Sequence, residues 1–165
     1  MAVNAKNKGN TFERKIANLL STTFAQHTGL ISSFRRNVDS GSFFGGSNFK
    51  RTETHDTEKA TYGDIIAPSA FKFNIECKHY KEAPSFSSIL KQEYATFDKW
   101  IEQAELDSKS SGKIVMIIMK FNNVPESVMV PSGTLSPDLC SMKYKNYEIG
   151  LLDNVLKLPV AFFFE

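Results

Sequence analysis

Gly63-Asp64-Ile65-Ile66-Ala67, a short turn, and then Phe73-Asn74-Ile75-Glu76-Cys77-Lys78 decide the fold of this chain. Both runs read as strands. Side chains alternate between the two faces of a strand. Phe71, Phe73, Ile75 and Cys77 therefore share an apolar face, while Lys72, Asn74, Glu76 and Lys78 share a polar one. A hairpin folded about Ser69, Ala70 and Phe71 sets Pro68 opposite Lys72, Ile66 opposite Asn74, and Asp64 opposite Glu76. Directly opposed residues of an antiparallel pair have Cβ atoms roughly 4.5–5.5 Å apart. Two carboxylates so placed suit one shared Mg²⁺, whose oxygen ligands sit at roughly 2.0–2.1 Å. A slip of one residue would turn Asp64 to the other face, which makes this register a testable expectation.

The 165 residues suit a single domain with its own core. No apolar run approaches the roughly 20 residues of a membrane helix, and Met1 to Asn10 lack the apolar stretch of a signal peptide. Cys77 and Cys140 stand without metal-ligand spacing, and a reducing, cytoplasmic setting is the default expectation. The net charge is only +2, but it is unevenly spread. Met1 to Arg51 holds eight basic residues and two acids, so this third carries +6 and the remainder −4. That asymmetry is equally compatible with a polyanion-binding face and with an ordinary solvated basic surface.

Phe12, Ile16, Leu19 and Leu20 recur at helical spacing and predict a helix from Asn10 to about Thr22. Asn10 suits its N-cap, and Glu13, three residues on, would complete a capping box. Residues 1–9 are then expected to be flexible. Thr28 to Arg36 reads as a short strand. Residues 43–62 read as a polar insertion; loops of that length are commonly functional or disordered. Lys50 and Arg51 make substrate contact its expected role, and His55, Asp56 and Glu58 show no second ligand cluster. After Pro84, a long helix is expected from Ser85, its stripe made by Phe86, Ile89, Leu90, Phe97, Trp100, Ile101 and Ala104, ending at Ser110-Ser111-Gly112. Lys113 to Phe121 is almost continuously apolar and predicts a strand buried on both faces. Residues 122–165 read as a C-terminal extension of the sheet, with strand-like runs ending in Val160-Ala161-Phe162-Phe163-Phe164. The sum is an α/β domain, a mixed central sheet flanked by helices.

Taken together, Glu13 in a first helix, Gly63-Asp64 opening a strand, Ile75-Glu76-Cys77-Lys78 on the next, and Gln103 in a following helix resemble the PD-(D/E)XK nuclease superfamily. Within it the chain is most similar to archaeal-type Holliday junction resolvases. Lys8-Gly9-Asn10-Thr11-Phe12-Glu13-Arg14, and Arg36 followed by Ser40-Gly41-Ser42, carry that similarity, which spans roughly Lys8 to Phe121. Gly63 stands where the superfamily's motif has proline, a position that ligates nothing.

The resemblance implies a restriction-endonuclease-like core and metal-dependent cleavage of DNA. Asp64 and Glu76 would hold Mg²⁺ or Mn²⁺, with the Cys77 backbone carbonyl and Glu13 as further ligands. Lys78 would orient water or offset transition-state charge. Arg14, Arg36, Ser40 and Ser42 would contact DNA with Lys50 and Arg51, and Gln103 would support Lys78. A four-way junction as substrate implies a homodimer, because paired cuts need two active sites. The same residues allow a restriction-like or repair endonuclease on duplex DNA, or a non-catalytic DNA-binding protein. Asp64 and Glu76 would then be duplex-cutting residues or simple sheet-surface acids.

Overall fold

The computed structural model describes residues 5–30, 32–37 and 62–165. The first helix, α1, runs Ala5–Thr23 and turns Phe12, Ile16, Ala17 and Leu20 into the core. It begins five residues before the expected start at Asn10. Asn10 is therefore not a cap: its Oδ1 accepts a 2.8 Å hydrogen bond from Arg36 Nη2. Tertiary contact outweighs the weak helix preference of Gly9 and Asn10, and residues 5–9, expected to be flexible, are helical.

A short α2 (Ala25–Thr28) ends at Gly29, whose φ of 67° turns the chain away. The strand expected from Thr28 shrinks to β1, Arg35–Arg36. The cause lies at Phe34. Its N–H donates to Ser21 Oγ at 3.0 Å, and the same hydroxyl donates to its carbonyl at 3.1 Å. A side chain of α1 has taken the hydrogen bonds a strand partner would have used.

β2 (Ile65–Ile66) pairs antiparallel with β1 and with β3 (Phe73–Tyr80). Ile65 stands opposite Ile75, the expected partner, while Asp64 lies just before β2 with its N–H on the Ile75 carbonyl at 2.8 Å rather than paired with Glu76. After β3, Ser85 caps α3 (Phe86–Leu90) by accepting from the Ser88 N–H at 3.1 Å. The single long helix expected here is two. Gln92 adopts φ 57°, and α4 restarts at Ala95 and runs to Ser111. Gln92 Nε2 donates to the Ile89 and Lys143 carbonyls, and its Oε1 accepts from the Lys145 N–H. The break is thus bracketed to a distant turn, a contact no local pattern announces. Gly112 ends α4 in the left-handed conformation (φ 71°).

β4 (Ile114–Phe121) lies parallel to β3, the α3–α4 segment forming the crossover. β5 (Ser127–Pro131), β6 (Met142–Tyr144) and β7 (Tyr147–Leu151) complete the sheet. Among the described residues seven strands form one mixed sheet in the order β1-β2-β3-β4-β5-β7-β6. The chain closes with α5 (Leu152–Val155) and α6 (Val160–Phe163). The last run was expected to be a strand. Only Phe164 of that run makes a bridge, to Phe71, because the helical turn lets Phe163 pack on Phe24, ring centroids 4.8 Å apart.

Two apolar layers flank the sheet. Beneath α1, Phe71, Phe73, Ile75 and Cys77 join Ile16, Leu20, Ile118 and Phe163. Beneath α4, Phe97, Trp100 and Ala104 pack on Val115, Ile117, Met119 and Tyr144. β4 contributes to both layers, as a strand covered on its two faces must.

Candidate active site

Asp64 is aimed by the turn that precedes it. Gly63 has φ 79°, and a Cβ there would stand 2.6 Å from the Ile75 carbonyl oxygen and 2.7 Å from Asn74 Oδ1. Only glycine fits so close an approach. The Asp64 N–H donates to Ile75 O at 2.8 Å, and its carbonyl accepts from the Asn37 N–H at 2.8 Å. Asn37 Nδ2 also donates to the Gly63 carbonyl at 3.0 Å, so the turn is held from both sides. The Asp64 carboxylate, Oδ2, accepts the Cys77 N–H at 2.8 Å, across the β2–β3 gap.

Glu76 is 2% exposed, and Lys78 lies beside it on the α4 face, Nζ to Oε2 2.8 Å. Lys78 Nζ also donates to Gln103 Oε1 of α4 at 3.3 Å. Burial, then the Asp64 charge, push the Glu76 carboxyl up to about 8, against the pull of Lys78. Burial alone would lower Lys78, but the carboxylates of Glu76 and Asp64 outweigh it and raise the ammonium's pKa. Lys78 therefore stays cationic. Asp64, Glu76, Lys78 and Gln103 are brought together.

Glu13 and Arg36 are paired with each other, Arg36 Nε donating to Glu13 Oε2. Glu13 is buried on α1, and its charge, after burial and those of Asp64 and Glu76, helps raise the Cys77 thiol. The three carboxylates thus surround Cys77, but Glu13 faces a guanidinium. Among the described residues no group of three or more His, Cys, Asp or Glu stands ready to hold a metal ion. Asp64 and Glu76 do fit one: hard carboxylate oxygens suit a hard divalent cation, and a divalent charge would favour the ionised form of a Glu76 carboxyl that burial and Asp64 push up despite Lys78. Arg14 is exposed on α1. Ser40, Ser42, Lys50 and Arg51 lie outside the described residues, as does the insertion apart from Tyr62.

Asp107 escaped sequence reasoning. It is 6% exposed, one helical turn beyond Gln103. Burial raises its carboxyl, a hydrogen bond with Glu76 draws it down, and the Asp64 charge raises it again. The signal was present in the spacing: Phe97, Trp100, Ala104, Asp107 and Ser111 form one buried stripe of α4, with an acid where an apolar residue is expected. Asn37 was missed too, and nothing in its neighbourhood marks it out.

A mixed sheet flanked by helices, with a buried acid, a second acid and a lysine at the edge of two strands, defines a restriction-endonuclease-like α/β domain. The chain belongs to the family described as "Phage putative PDDEXK endonuclease", whose model matches residues 4–155. This places it in the PD-(D/E)XK nuclease superfamily. No curated protein and no solved structure matches it. No helix among the described residues is long and apolar enough to cross a membrane.

Proposed function

We propose that this endonuclease-family chain is a divalent-metal-dependent DNA endonuclease that resolves four-way junctions as a homodimer. The observation that carries the metal-dependent part is the convergence of Asp64, buried Glu76 and Lys78. Asp64 and Glu76 would hold Mg²⁺ or Mn²⁺. The Cys77 carbonyl is a further oxygen donor, since a strand residue's N–H and C=O point to the same edge and this N–H points at Asp64. Glu13 would join after leaving Arg36, or act through water. Such an ion supplies positive charge at the phosphate and acidifies water.

The chain's own groups perform the rest. Lys78, whose ammonium is held above its ordinary pKa beside Glu76 and Asp64, would donate its N–H bonds toward the anionic phosphate or the attacking water. Gln103 fixes the ammonium at its outer side. Arg14, Ser40, Ser42, Lys50 and Arg51 would position DNA phosphates, and Arg36 would do so only by exchanging Glu13 for phosphate. The junction preference rests on the similarity around Lys8–Arg14 and Arg36–Ser42. A twofold dimer would match two symmetric cuts.

The test presents the protein with a synthetic four-way junction, linear duplex and single strands, with and without Mg²⁺ or Mn²⁺. Paired junction cuts that require the cation and vanish in Asp64→Ala are expected. Equal cutting of linear duplex would replace junction resolution with a duplex endonuclease. Binding without cleavage under every condition would remove the catalytic assignment. Asp64→Ala should still bind DNA, since losing a carboxylate lessens repulsion from phosphate.

A further inference from the structure

A cleft of about 330 Å³ opens between α1 and the ends of β3 and β4, on the sheet face opposite Lys78. Phe12 and His79 touch at its floor, ring centroids 5.6 Å apart. The parallel register sets His79 beside Lys120, so both project toward α1. Lys8 and Lys15 come from α1 itself, one helical face bringing them over the two strands. Among the described residues Glu126 is the lone acid of the lining and serves two lysines, Lys15 at 2.6 Å and Lys120 at 3.5 Å. The Lys15 hydrogen bond holds its carboxyl below the usual range, so it is ionised at neutral pH. Among the described residues of the lining, three lysines therefore stand against one carboxylate, two of them paired with it. Those charges rim an apolar floor to which Phe12 and the lysine stems contribute. Ligand sites of open α/β sheets lie beyond the carboxyl ends of parallel strands, which is where this one lies.

The cleft adjoins the acid site along both elements. His79 follows Lys78 in β3, and Phe12 precedes Glu13 in α1. A chain of phosphates crossing the end of the sheet would meet one site and then the other. We infer that the Phe12–His79 cleft is a second DNA subsite, holding one nucleotide of a strand that runs past the Asp64–Glu76 site, its phosphate among Lys8, Lys15 and Lys120. The apolar floor receives the sugar or base, and Glu126 acts as a built-in competitor that the phosphate displaces from the lysines.

This inference rests on the DNA-binding part of the proposed function, not on cleavage. Its test is the binding of a fluorescent four-way junction and of the matching duplex, measured by anisotropy across a salt series with Ca²⁺ replacing Mg²⁺. The Lys15→Gln/Lys120→Gln double variant should bind about tenfold more weakly. Its slope of log K against log salt should shrink by roughly 1, the change expected when one phosphate is no longer neutralised. Glu126→Gln should bind severalfold more tightly, because it removes the carboxylate that neutralises Lys15 and Lys120, Lys120 keeping its 2.6 Å bond to the Val124 carbonyl. A merely structural network predicts the opposite sign for Glu126→Gln. Should the double variant melt at room temperature, Lys8→Gln reads the same slope.

An unchanged salt slope in these lysine variants, or no tightening in Glu126→Gln, would overturn the subsite. Wild-type protein that cuts DNA while the variants keep its slope would overturn the cleft alone and leave the nuclease standing. A reduced slope in the lysine variants of a protein that never cuts would keep the cleft and remove the nuclease.

Discussion

Glu76 is where chemistry at the residue scale is most exposed to test. Its carboxyl titrates near 8 against an ordinary 4.5, with burial, Asp64 and Asp107 raising it and Lys78 opposing them. The folded protein therefore keeps a proton that the unfolded chain loses on leaving the acid range. Without a divalent ion, this group's contribution to stability is fully present below the ordinary carboxylate pKa and is lost as pH rises toward 8. Metal binding requires the ionised form and so expels that proton. Excess Mg²⁺ should therefore raise the melting temperature clearly at pH about 8.5 and little at pH about 5.5. Glu76→Gln should abolish the shift at both. Equal shifts at the two pH values would mean that the ion binds elsewhere. The residues of this centre were legible because alternation alone assigns Glu76 and Lys78 to one face of β3. Asp107 was not, because an acid on a core stripe is rejected by the very pattern that finds the helix.

At the scale of elements, the junction between α1 and β1 is an ion pair rather than an apolar contact. Arg36 bonds Glu13 through Nε and Asn10 through Nη2, its side chain 17% exposed and that of Glu13 11%. Sequence spacing placed Glu13 and Asn10 in a capping box, since the local pattern N-x-x-E is the same whether it starts a helix or lies within one. What separates the two cases is an arginine distant in sequence, and local pattern does not carry it. Arg36→Ala leaves a nearly buried carboxylate without its partner, which costs roughly 2–3 kcal/mol. The midpoint of urea unfolding should fall accordingly, while Arg36→Lys, which keeps a charge but not the fork, recovers part of the loss. If Arg36 instead serves DNA alone, stability will not move and only the salt dependence of binding will. The same limit hid the break at Gln92. Its positive φ is tolerated because its amide is bonded to backbone groups of Lys143 and Lys145.

For the molecule as a whole, the sheet was readable where burial is two-sided. β4 announced itself as an uninterrupted apolar strand, and the pairing of Ile65 with Ile75 followed from placing two acids on one face. The C-terminal segment was not, because a run of five apolar residues is ambiguous between strand and helix until its neighbours are known. Those neighbours are aromatic. Phe163 is fully buried, stacks near-parallel to Phe71 and lies tilted against Phe24, while its carbonyl accepts the Lys72 N–H at 2.8 Å. The Glu165 N–H likewise donates to the Ala70 carbonyl at 3.0 Å. The residues from Phe163 to Glu165 thus clasp the turn between β2 and β3, the turn that lies between Asp64 and Glu76 in the chain. Removing the Phe163 ring should cost about 3–5 kcal/mol, the usual range for a buried phenylalanine cut to alanine. Its effect should also reach the metal site. Phe163→Ala is expected to lower the unfolding midpoint and to weaken Mg²⁺ binding in the protein that remains folded, measured as the ligand-dependent rise in melting temperature. Phe162→Ala, at a half-buried ring stacked on Phe73, should cost less and leave that rise intact. Equal loss of metal binding in both variants would show that the clasp acts through general stability and not through the turn it holds.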